Sequence, residues 1–328
     1  MNKLPLLIAL LSAFLSCMDP HANLRSHAIR PAADGYASPA MLGMSLYRNE
    51  NSWERSFGNC TLLFSWIPFV YCGQPAVAFS QSGQTIAITT VSPVHTSVAV
   101  YDVATGRLLW KKSWGHFFGF GVPESLSFST TDTQLQAVTD HDLRTFDASR
   151  GVLMHTQRHS PNFYVVAVDE FLYLGHRGSV SKLTLNQFAL VRTYDCSHAP
   201  VTRIDLSKDR TILAVTDEAG TVCVFDNETG SLRWKRSLSP DWTPALAAFN
   251  PTSSDLYIAT NHNIHVFPAA EQDREQTIPC DVQVFDIKSD SRNLYLLGRR
   301  VWDREPALRS MQLPLNSTSC SQAESSEK

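Results

Sequence analysis

Short stretches in which apolar and polar residues alternate fill the chain between residues 75 and 315, and turns rich in Gly, Asp, Asn and Ser separate them. Alternation with a period of two predicts β-strands that bury one face. The stretches recur in groups of four, with one group about every 40 residues. Three copies of the group are plain, at 75–113, 123–160 and 200–237, and weaker copies lie at 163–196, 244–280 and 282–315.

This repeat predicts the fold class. Four-stranded antiparallel units of this length, arranged around a ring, form an all-β β-propeller. The sequence WERS at 53–56 echoes the tryptophan-led ends of two plain copies, so residues 44–57 are expected to supply the last two strands of an additional blade. We therefore predict a single propeller domain over 41–315, with seven blades and four antiparallel strands per blade. A six-bladed ring that the N-terminal strands close is the alternative.

Two sequence signatures within the repeats resemble those of known propeller families. The segment 217–226, DEAGTVCVFD, resembles the third strand of a WD repeat, with Phe225 at the place of that family's tryptophan. The TGxLxW stretches at 105–110 and 229–234 are similar to quinoprotein-type repeats. The resemblance implies a WD-repeat or quinoprotein-like β-propeller.

The same resemblance implies roles for two histidines and two aspartates. In WD repeats, a histidine between blades and an aspartate in a tight turn form a buried hydrogen-bonded pair. Such structural pairs are implied for His116 with Asp140 and for His198 with Asp217. Buried polar groups are nearly always partnered, which favours this role for them over ligand binding.

The first residues are typical of an export signal. Lys3 precedes an apolar run of twelve residues, Leu4–Leu15. A membrane-spanning helix needs about 20 residues, so this run fits the core of a signal peptide instead. We predict a signal peptide over 1–16 and an N-terminal linker over 17–40. Ser16 before Cys17 resembles a bacterial lipoprotein signal, which implies lipidation of Cys17, and a simple secretory signal is the alternative. Either signal implies export, to the periplasm or as a membrane-anchored lipoprotein of the cell envelope.

The segment 59–73, NCTLLFSWIPFVYCG, is the longest insertion between two repeats and is strongly apolar. Cys60 and Cys72 flank it, and we predict that they form a disulfide, since disulfides persist in exported proteins. The chain has seven cysteines and no CxxC motif, so a zinc ribbon is not supported. Spacing alone leaves open the pairing of Cys196, Cys223, Cys280 and Cys320.

Large exposed apolar segments usually mark interaction sites. We therefore expect the insertion and the aromatic loop 114–120 to bind a protein partner. The predicted anchors are Trp66, Phe69, Tyr71, Phe117 and Phe118. Both segments connect the last strand of one blade to the first strand of the next, so they would lie on one face of the propeller. Alternatively, the insertion folds back onto the channel mouth or supplies a strand.

Histidines and basic residues fall in loops assigned to the same face. A ring of such groups around a channel mouth would suit an anionic ligand or a metal ion. The candidates without an evident structural partner are His95, His176, His262, Arg299 and Arg300.

Composition and missing motifs narrow the function. A net charge of −3 and a pI near 6.4 argue against binding to nucleic acid. The chain has no GxSxG, HExxH or P-loop motif, and no cofactor or metal site is predicted. We favour a non-catalytic platform that binds another envelope protein. The alternative is a propeller enzyme of the hydrolase or lactonase type, or a binder of a small ligand or metal at the channel mouth. The polar tail 316–328 is predicted to be disordered.

Overall fold

The computed structural model describes most of the chain beyond residue 75 and shorter pieces before it. The described ranges are 28–29, 36–40, 43–47, 53–56, 60–64, 67–72, 76–91, 95–115, 123–139, 142–158, 164–238, 244–260, 263–280, 282–300, 307–313 and 315. Within them, all regular structure is β-strand apart from two short 3-10 helices, at Pro268–Ala270 and Gln272–Arg274. The predicted signal peptide, Cys17 and the tail 316–328 lie outside these ranges.

The described part of the chain contains 28 strands, and every pairing between neighbouring strands is antiparallel. In chain order they are β1 (Ala28–Ile29), β2 (Tyr36–Ala40), β3 (Gly43–Tyr47), β4 (Trp53–Ser56), β5 (Cys60–Phe64), β6 (Ile67–Cys72), β7 (Val77–Phe79), β8 (Thr85–Val91), β9 (His95–Asp102), β10 (Leu108–Gly115), β11 (Pro123–Phe128), β12 (Gln134–Thr139), β13 (Asp142–Asp147), β14 (Leu153–Arg158), β15 (Tyr164–Val168), β16 (Phe171–Gly175), β17 (Arg177–Thr184), β18 (Leu190–Leu206), β19 (Ile212–Asp217), β20 (Thr221–Asp226), β21 (Leu232–Ser237), β22 (Leu246–Phe249), β23 (Leu256–Ala259), β24 (Asn263–Phe267), β25 (Gln276–Pro279), β26 (Val282–Ser289), β27 (Asn293–Arg300) and β28 (Ala307–Gln312).

These strands form sheets that follow one another along the chain, with strand order in each sheet following chain order. Sheet 1 contains β1–β4, sheet 2 β7–β10, sheet 3 β11–β14 and sheet 6 β22–β25. β18 is 17 residues long, and it pairs with β17 through its first part and with β19 through its second. Sheet 4 (β15–β18) and sheet 5 (β18–β21) are therefore continuous. Sheet 7 comprises β26–β28. The predicted all-β fold of four-stranded antiparallel units is confirmed.

Sheet 1 includes residues that the sequence analysis assigns to a linker. β1 and β2 lie within 17–40 and form one four-stranded sheet with β3 and β4. The alternating pattern is too short to detect there, because β1 has only two residues and β2 contains Pro39. Sheet 1 therefore begins before residue 41, the start expected from the sequence.

Tight turns join third and fourth strands where the repeat has its Asp-x-x-Thr-Gly segments. Asp102 Oδ1 accepts hydrogen bonds from the backbone N–H and the hydroxyl of Thr105, at 2.7 and 2.6 Å. Asp226 Oδ1 accepts the same pair of bonds from Thr229, at 2.7 and 2.8 Å. Gly230 completes the second turn with a φ of 77°, a left-handed conformation that glycine adopts without steric cost.

These turn carboxylates predict a loss of stability in acid. The backbone N–H of Thr229, followed by its hydroxyl, lowers the pKa of Asp226 to about 2. A carboxyl group whose folded pKa lies below its unfolded pKa stabilises the fold above the unfolded value, and this contribution is lost as the pH falls through the folded value. We expect urea midpoints of the wild type to fall between about pH 4 and pH 2. Asp226→Asn should reduce this dependence of the urea midpoint on pH, whereas Asp195→Asn, at an exposed position, should not. The same pH dependence in the wild type and in Asp226→Asn would contradict the prediction.

The tryptophan of each TGxLxW stretch joins one sheet to the next. Trp110 Nε1 in β10 donates to the carbonyl of Ala148, in the turn of sheet 3, at 2.7 Å. Trp234 Nε1 in β21 donates to the carbonyl of Ala270, beside sheet 6, also at 2.7 Å. Both indole rings are buried. One side chain therefore supplies both packing area and a hydrogen bond between successive sheets, which explains why the motif recurs.

Trp234→Phe should lower the free energy of unfolding by about 1–3 kcal/mol. The phenyl ring keeps most of the packing, but the buried carbonyl of Ala270 loses its donor. Urea denaturation monitored by circular dichroism measures the change. Leu232→Ala in the same strand removes an exposed side chain and should stay within about 0.5 kcal/mol of the wild type. A Trp234→Phe variant as stable as this control would contradict the proposed role of the indole N–H.

The hydrophobic core is divided among the interfaces between successive sheets. One cluster of buried side chains joins sheets 1 and 2, and others join sheets 2 and 3, 3 and 4, 4 and 5, 5 and 6, and 6 and 7. A further cluster packs Ile29 of sheet 1 against Leu297 and Leu308 of sheet 7. The innermost strands touch in the order β1, β7, β11, β15, β18, β22 and β26, and β26 also contacts β1. These contacts bring the first and last sheets together around a common axis.

A disulfide covalently links sheets 4 and 5. Cys196 in β18 and Cys223 in β20 are bonded, with their Cα atoms 5.7 Å apart. Cys280 is disulfide-bonded as well. The structure thus settles the first of the pairings that spacing left open.

Candidate binding site in the central channel

A cavity of about 380 Å³ lies where the innermost strands meet. Each of β1, β7, β11, β15, β18, β22 and β26 contributes lining residues, so the cavity is the central channel between the sheets. Small-molecule sites usually occupy about 300–1,000 Å³, so the channel has room for a small ligand.

The innermost strands of different sheets can be aligned with one another by the turn that follows each of them, so that equivalent channel-lining positions can be compared. In five sheets a backbone N–H closes this turn, and the donors are Ser80, Ser129, Ser207, Asn250 and Asp290. The residues two positions earlier are Ala78, Ser127, Asp205, Ala248 and Lys288, and those four positions earlier are Ala76, Ser125, Arg203, Leu246 and Asp286. All of these line the channel. Sheets 2, 3 and 6 thus present small or apolar residues where sheets 5 and 7 present charges.

The first pair of charges, Arg203 and Asp286, forms a direct ion pair across sheet 6. Arg203 Nη1 donates to Asp286 Oδ1 at 2.8 Å, and Nη2 donates to the carbonyl of Ile287 at 3.2 Å. Asp286 Oδ1 also accepts from the N–H of Ile287 at 2.9 Å, and Oδ2 accepts from the N–H of Ile29 at 2.8 Å. Because Ile29 belongs to sheet 1, this carboxylate connects sheets 1, 5 and 7.

The second pair of charges, Asp205 and Lys288, is not in direct contact. Asp205 Oδ2 accepts from the N–H of Phe249 at 2.7 Å, which fastens sheet 5 to sheet 6. Burial raises the pKa of the Asp205 carboxyl, and the charge of Arg203 opposes that shift. Burial lowers the pKa of the Lys288 ammonium, against the attraction of Asp286. Lys288 forms no hydrogen bond or ion pair with the residues that the structure describes.

The ligand candidates from the sequence lie apart from this cavity or outside the described residues. His176 follows β16, and its Nε2 lies 2.8 Å from the hydroxyl of Ser181. Arg299 in β27 is exposed, and neither side chain lines the channel cavity. His95 and Arg300 lie at the ends of β9 and β27, where only the backbone is described, and His262 lies outside the described ranges.

The hydrogen bond expected between His198 and Asp217 is not formed. His198 is exposed, whereas Asp217 is fully buried at the end of β19. Asp217 Oδ1 instead accepts from the backbone N–H groups of Ala219 and Thr221, at 2.9 and 2.8 Å. The aspartate therefore closes its own turn without the histidine. The other expected pair, His116 with Asp140, lies outside the described residues.

The apolar insertion contains a two-stranded hairpin. β5 and β6 pair with each other and belong to none of the larger sheets. The Cα atoms of Cys60 and Cys72 are register partners at the open end of the hairpin. Phe69 and Tyr71 lie in β6, where only the backbone is described. Trp66, Phe117 and Phe118 lie outside the described residues.

The chain resembles one known family over more than half of its length. The family model described as "Outer membrane protein assembly factor BamB" matches residues 94–305. The chain belongs to the BamB-like family. The predicted resemblance to WD-repeat and quinoprotein-like propellers is thereby confirmed. No curated protein matches the chain significantly. A chain in the crystal structure of the mitotic checkpoint complex is similar in fold, with a TM-score of 0.60 and 14% sequence identity over 72% of this chain and 76% of that one.

Family membership and the Cys196–Cys223 disulfide agree on the compartment. BamB-like proteins are associated with the cell envelope, and disulfides persist in oxidising compartments. No helix in the described part of the BamB-like chain is long and apolar enough to span a membrane. Among the described residues, no group of three or more His, Cys, Asp and Glu side chains is placed to hold a metal ion.

The BamB-like chain also carries an outer rim of exposed apolar side chains that the sequence analysis missed. Eight of them, between 39% and 64% exposed, lie at or beside the start of the fourth strands of sheets 2–5: Leu108, Leu109, Val152, Leu153, Met154, Leu190, Val191 and Leu232. Strand alternation marks such residues as core. These exposed residues follow the turn before the fourth strand of each sheet. That fixed position is the sequence signal that could have distinguished them from core residues.

A charged cluster between sheets 5 and 6 also escaped the sequence analysis. His265 Nδ1 in β24 lies 2.7 Å from Glu275 Oε1, and the other carboxylate oxygen pairs with Arg236 of β21. His265 is buried, so this cluster fastens the two sheets to each other. It lies outside the channel cavity and serves packing between the sheets.

Proposed function

We propose that this BamB-like propeller is an exported, non-catalytic interaction platform that binds another protein of the bacterial envelope. The matching family is described as an assembly factor for outer membrane proteins, a role that depends on contact with other proteins. A signal peptide over 1–16 and lipidation at Cys17 would bring the propeller to the membrane surface. Cys17→Ser should abolish incorporation of a labelled fatty acid, and retained label would refute lipidation at this residue.

The platform is proposed to have seven blades, one for each of sheets 1–7. Each sheet has a buried cluster on either side, and Ile29 packs sheet 1 against sheet 7. The hydrogen bond from Ile29 to Asp286 lies at the same junction. In the six-bladed alternative, the N-terminal strands would complete another blade, whereas here β1–β4 form a sheet of their own.

The hairpin β5–β6 is the observation that carries the proposal. It belongs to none of sheets 1–7, although its sequence is among the most apolar of the chain. An apolar hairpin outside the blades can contribute to a docking surface, and aromatic residues dominate binding energy at such surfaces. We propose Trp66, Phe69 and Tyr71 as the anchors of this surface. The neighbouring Phe117 and Phe118 would extend it.

Replacement of 61–71 by a short Gly-Ser linker should abolish partner binding and leave the propeller folded. The intact protein is used to isolate its partner from detergent-solubilised native envelopes, and binding of the purified partner is then measured. Trp66→Ala should weaken that binding by about 2 kcal/mol or more, roughly 30-fold. Leu153→Ser with Met154→Ser on the outer rim is the matched control. Binding that survives loss of the hairpin, or that the rim variant alone destroys, would refute the hairpin as the docking surface.

A further inference from the structure

Two cations, Arg203 and Lys288, are among the described residues that line the channel, and Lys288 is the one that forms no hydrogen bond or ion pair with them. Arg203 is bound to Asp286 and to a backbone carbonyl, and Asp205 is bound to the N–H of Phe249. Lys288 lines the same cavity, in the layer of Asp205, without a direct partner among the described residues. No described residue accepts a hydrogen bond from its ammonium group, although the carboxylates of Asp286 and Asp205 lie close enough to attract it.

A partly buried ammonium group without a direct partner is unfavourable for the fold. Lys288 is partly buried, and its partial withdrawal from water lowers the pKa of the ammonium group against the attraction of Asp286 and Asp205. Equivalent positions in sheets 2, 3 and 6 hold Ala78, Ser127 and Ala248, so the architecture of the innermost strand does not require a long cationic side chain there. A costly charge in a cavity without a structural partner is a common property of ligand-binding sites.

We propose that the central channel binds a small organic carboxylate, with its anionic group on Lys288 and its apolar part against the small residues of sheets 2 and 6. Ala76, Ala78, Leu246 and Ala248 form that apolar wall. A singly charged anion suits the site because one cation among the described lining residues, Lys288, lacks a direct partner. A phosphate dianion would place its second charge near the carboxylates of Asp205 and Asp286. This inference stands independently of the proposed partner binding.

Isothermal titration calorimetry on the full-length protein tests the proposal with hexanoate, hexanol and inorganic phosphate as probes. Hexanoate should bind at one site, and hexanol and phosphate should bind at least about tenfold more weakly. Lys288→Met, which keeps the length of the side chain but removes the charge, should weaken hexanoate binding by about tenfold or more. Lys111→Met, at an exposed position on β10, should leave the affinity within about twofold.

Thermal denaturation provides an independent readout. Hexanoate should raise the Tm of the wild type but not that of Lys288→Met. Without added hexanoate, Lys288→Met should be at least as stable as the wild type, because it removes a partly buried charge that has no direct partner among the described residues. A second variant, Ala78→Leu, keeps the Lys288 ammonium but fills part of the cavity next to the apolar wall. It should therefore also weaken hexanoate binding. The proposal is overturned if hexanol or phosphate binds as tightly as hexanoate, if Lys288→Met retains the wild-type affinity, or if the wild type binds no hexanoate up to about 10 mM.

Discussion

Replacement of Asp286 by alanine should lower the free energy of unfolding by about 3–5 kcal/mol, because this carboxylate ties sheets 1, 5 and 7 together. It accepts hydrogen bonds from Arg203, Ile287 and Ile29, at 2.8, 2.9 and 2.8 Å. Asp286 is only 6% exposed, so water cannot readily replace the lost oxygens. Alanine would leave Arg203 Nη1 and the N–H groups of Ile287 and Ile29 without their acceptor, at the junction between sheets 1 and 7.

Urea denaturation of the protein, followed by tryptophan fluorescence, measures this loss. Asp286→Asn keeps the shape and one acceptor oxygen and should lie between the wild type and Asp286→Ala. The exposed Asp195→Ala should change stability by no more than about 0.5 kcal/mol. The double variant Arg203→Met with Asp286→Leu should recover part of the loss, because it removes both charges of the ion pair and leaves no guanidinium without its carboxylate. A change below about 1 kcal/mol for Asp286→Ala would contradict its role in joining the sheets.

The repeated units could be predicted because strand alternation and turn chemistry act over a few residues. The alternating stretches and the Asp-x-x-Thr-Gly turns recur at fixed spacing, and the structure forms its sheets and turns at those places. Sheet 1 was only partly predicted, because β1 and β2 are too short, or interrupted by proline, to show a period. The alternation of apolar and polar residues therefore predicts long strands well and short strands poorly.

The charged pairs in the channel could not be predicted, because they depend on distant parts of the chain. Arg203 and Asp286 are separated by 83 residues, and only the meeting of the innermost strands brings them together. Their alternation within the strands, R-x-D at 203–205 and D-x-K at 286–288, is visible in the sequence but does not reveal which charges meet. The expected hydrogen bond between His198 and Asp217 is absent because His198 is exposed, whereas Asp217 is buried and its Oδ1 accepts from backbone N–H groups of its own turn.

Loss of the Cys196–Cys223 disulfide should lower the free energy of unfolding by about 3–4 kcal/mol on the chain-entropy account. The bond closes a segment with a sequence separation of 27 residues and joins β18 to the third strand of sheet 5. Both half-cystines are buried, at 7% and 0% exposure, so a folded protein shields the bond from reductants. The stabilisation arises mainly because the cross-link restricts the unfolded chain.

The double variant Cys196→Ala with Cys223→Ala isolates this bond, because reducing agents would also attack the disulfide of Cys280. The urea midpoint of the double variant should fall relative to that of the oxidised wild type. Its circular dichroism spectrum without urea should remain close to that of the wild type, because the sheets still form. Cys196→Ala alone should lose a similar amount, and the remaining Cys223 thiol should react with a thiol reagent only after unfolding, since it is fully buried. An unchanged midpoint in the double variant would show that the disulfide does not stabilise the fold. The predicted loss would mean that the chain is less stable when made in a reducing compartment, since it would then lack the cross-link between sheets 4 and 5.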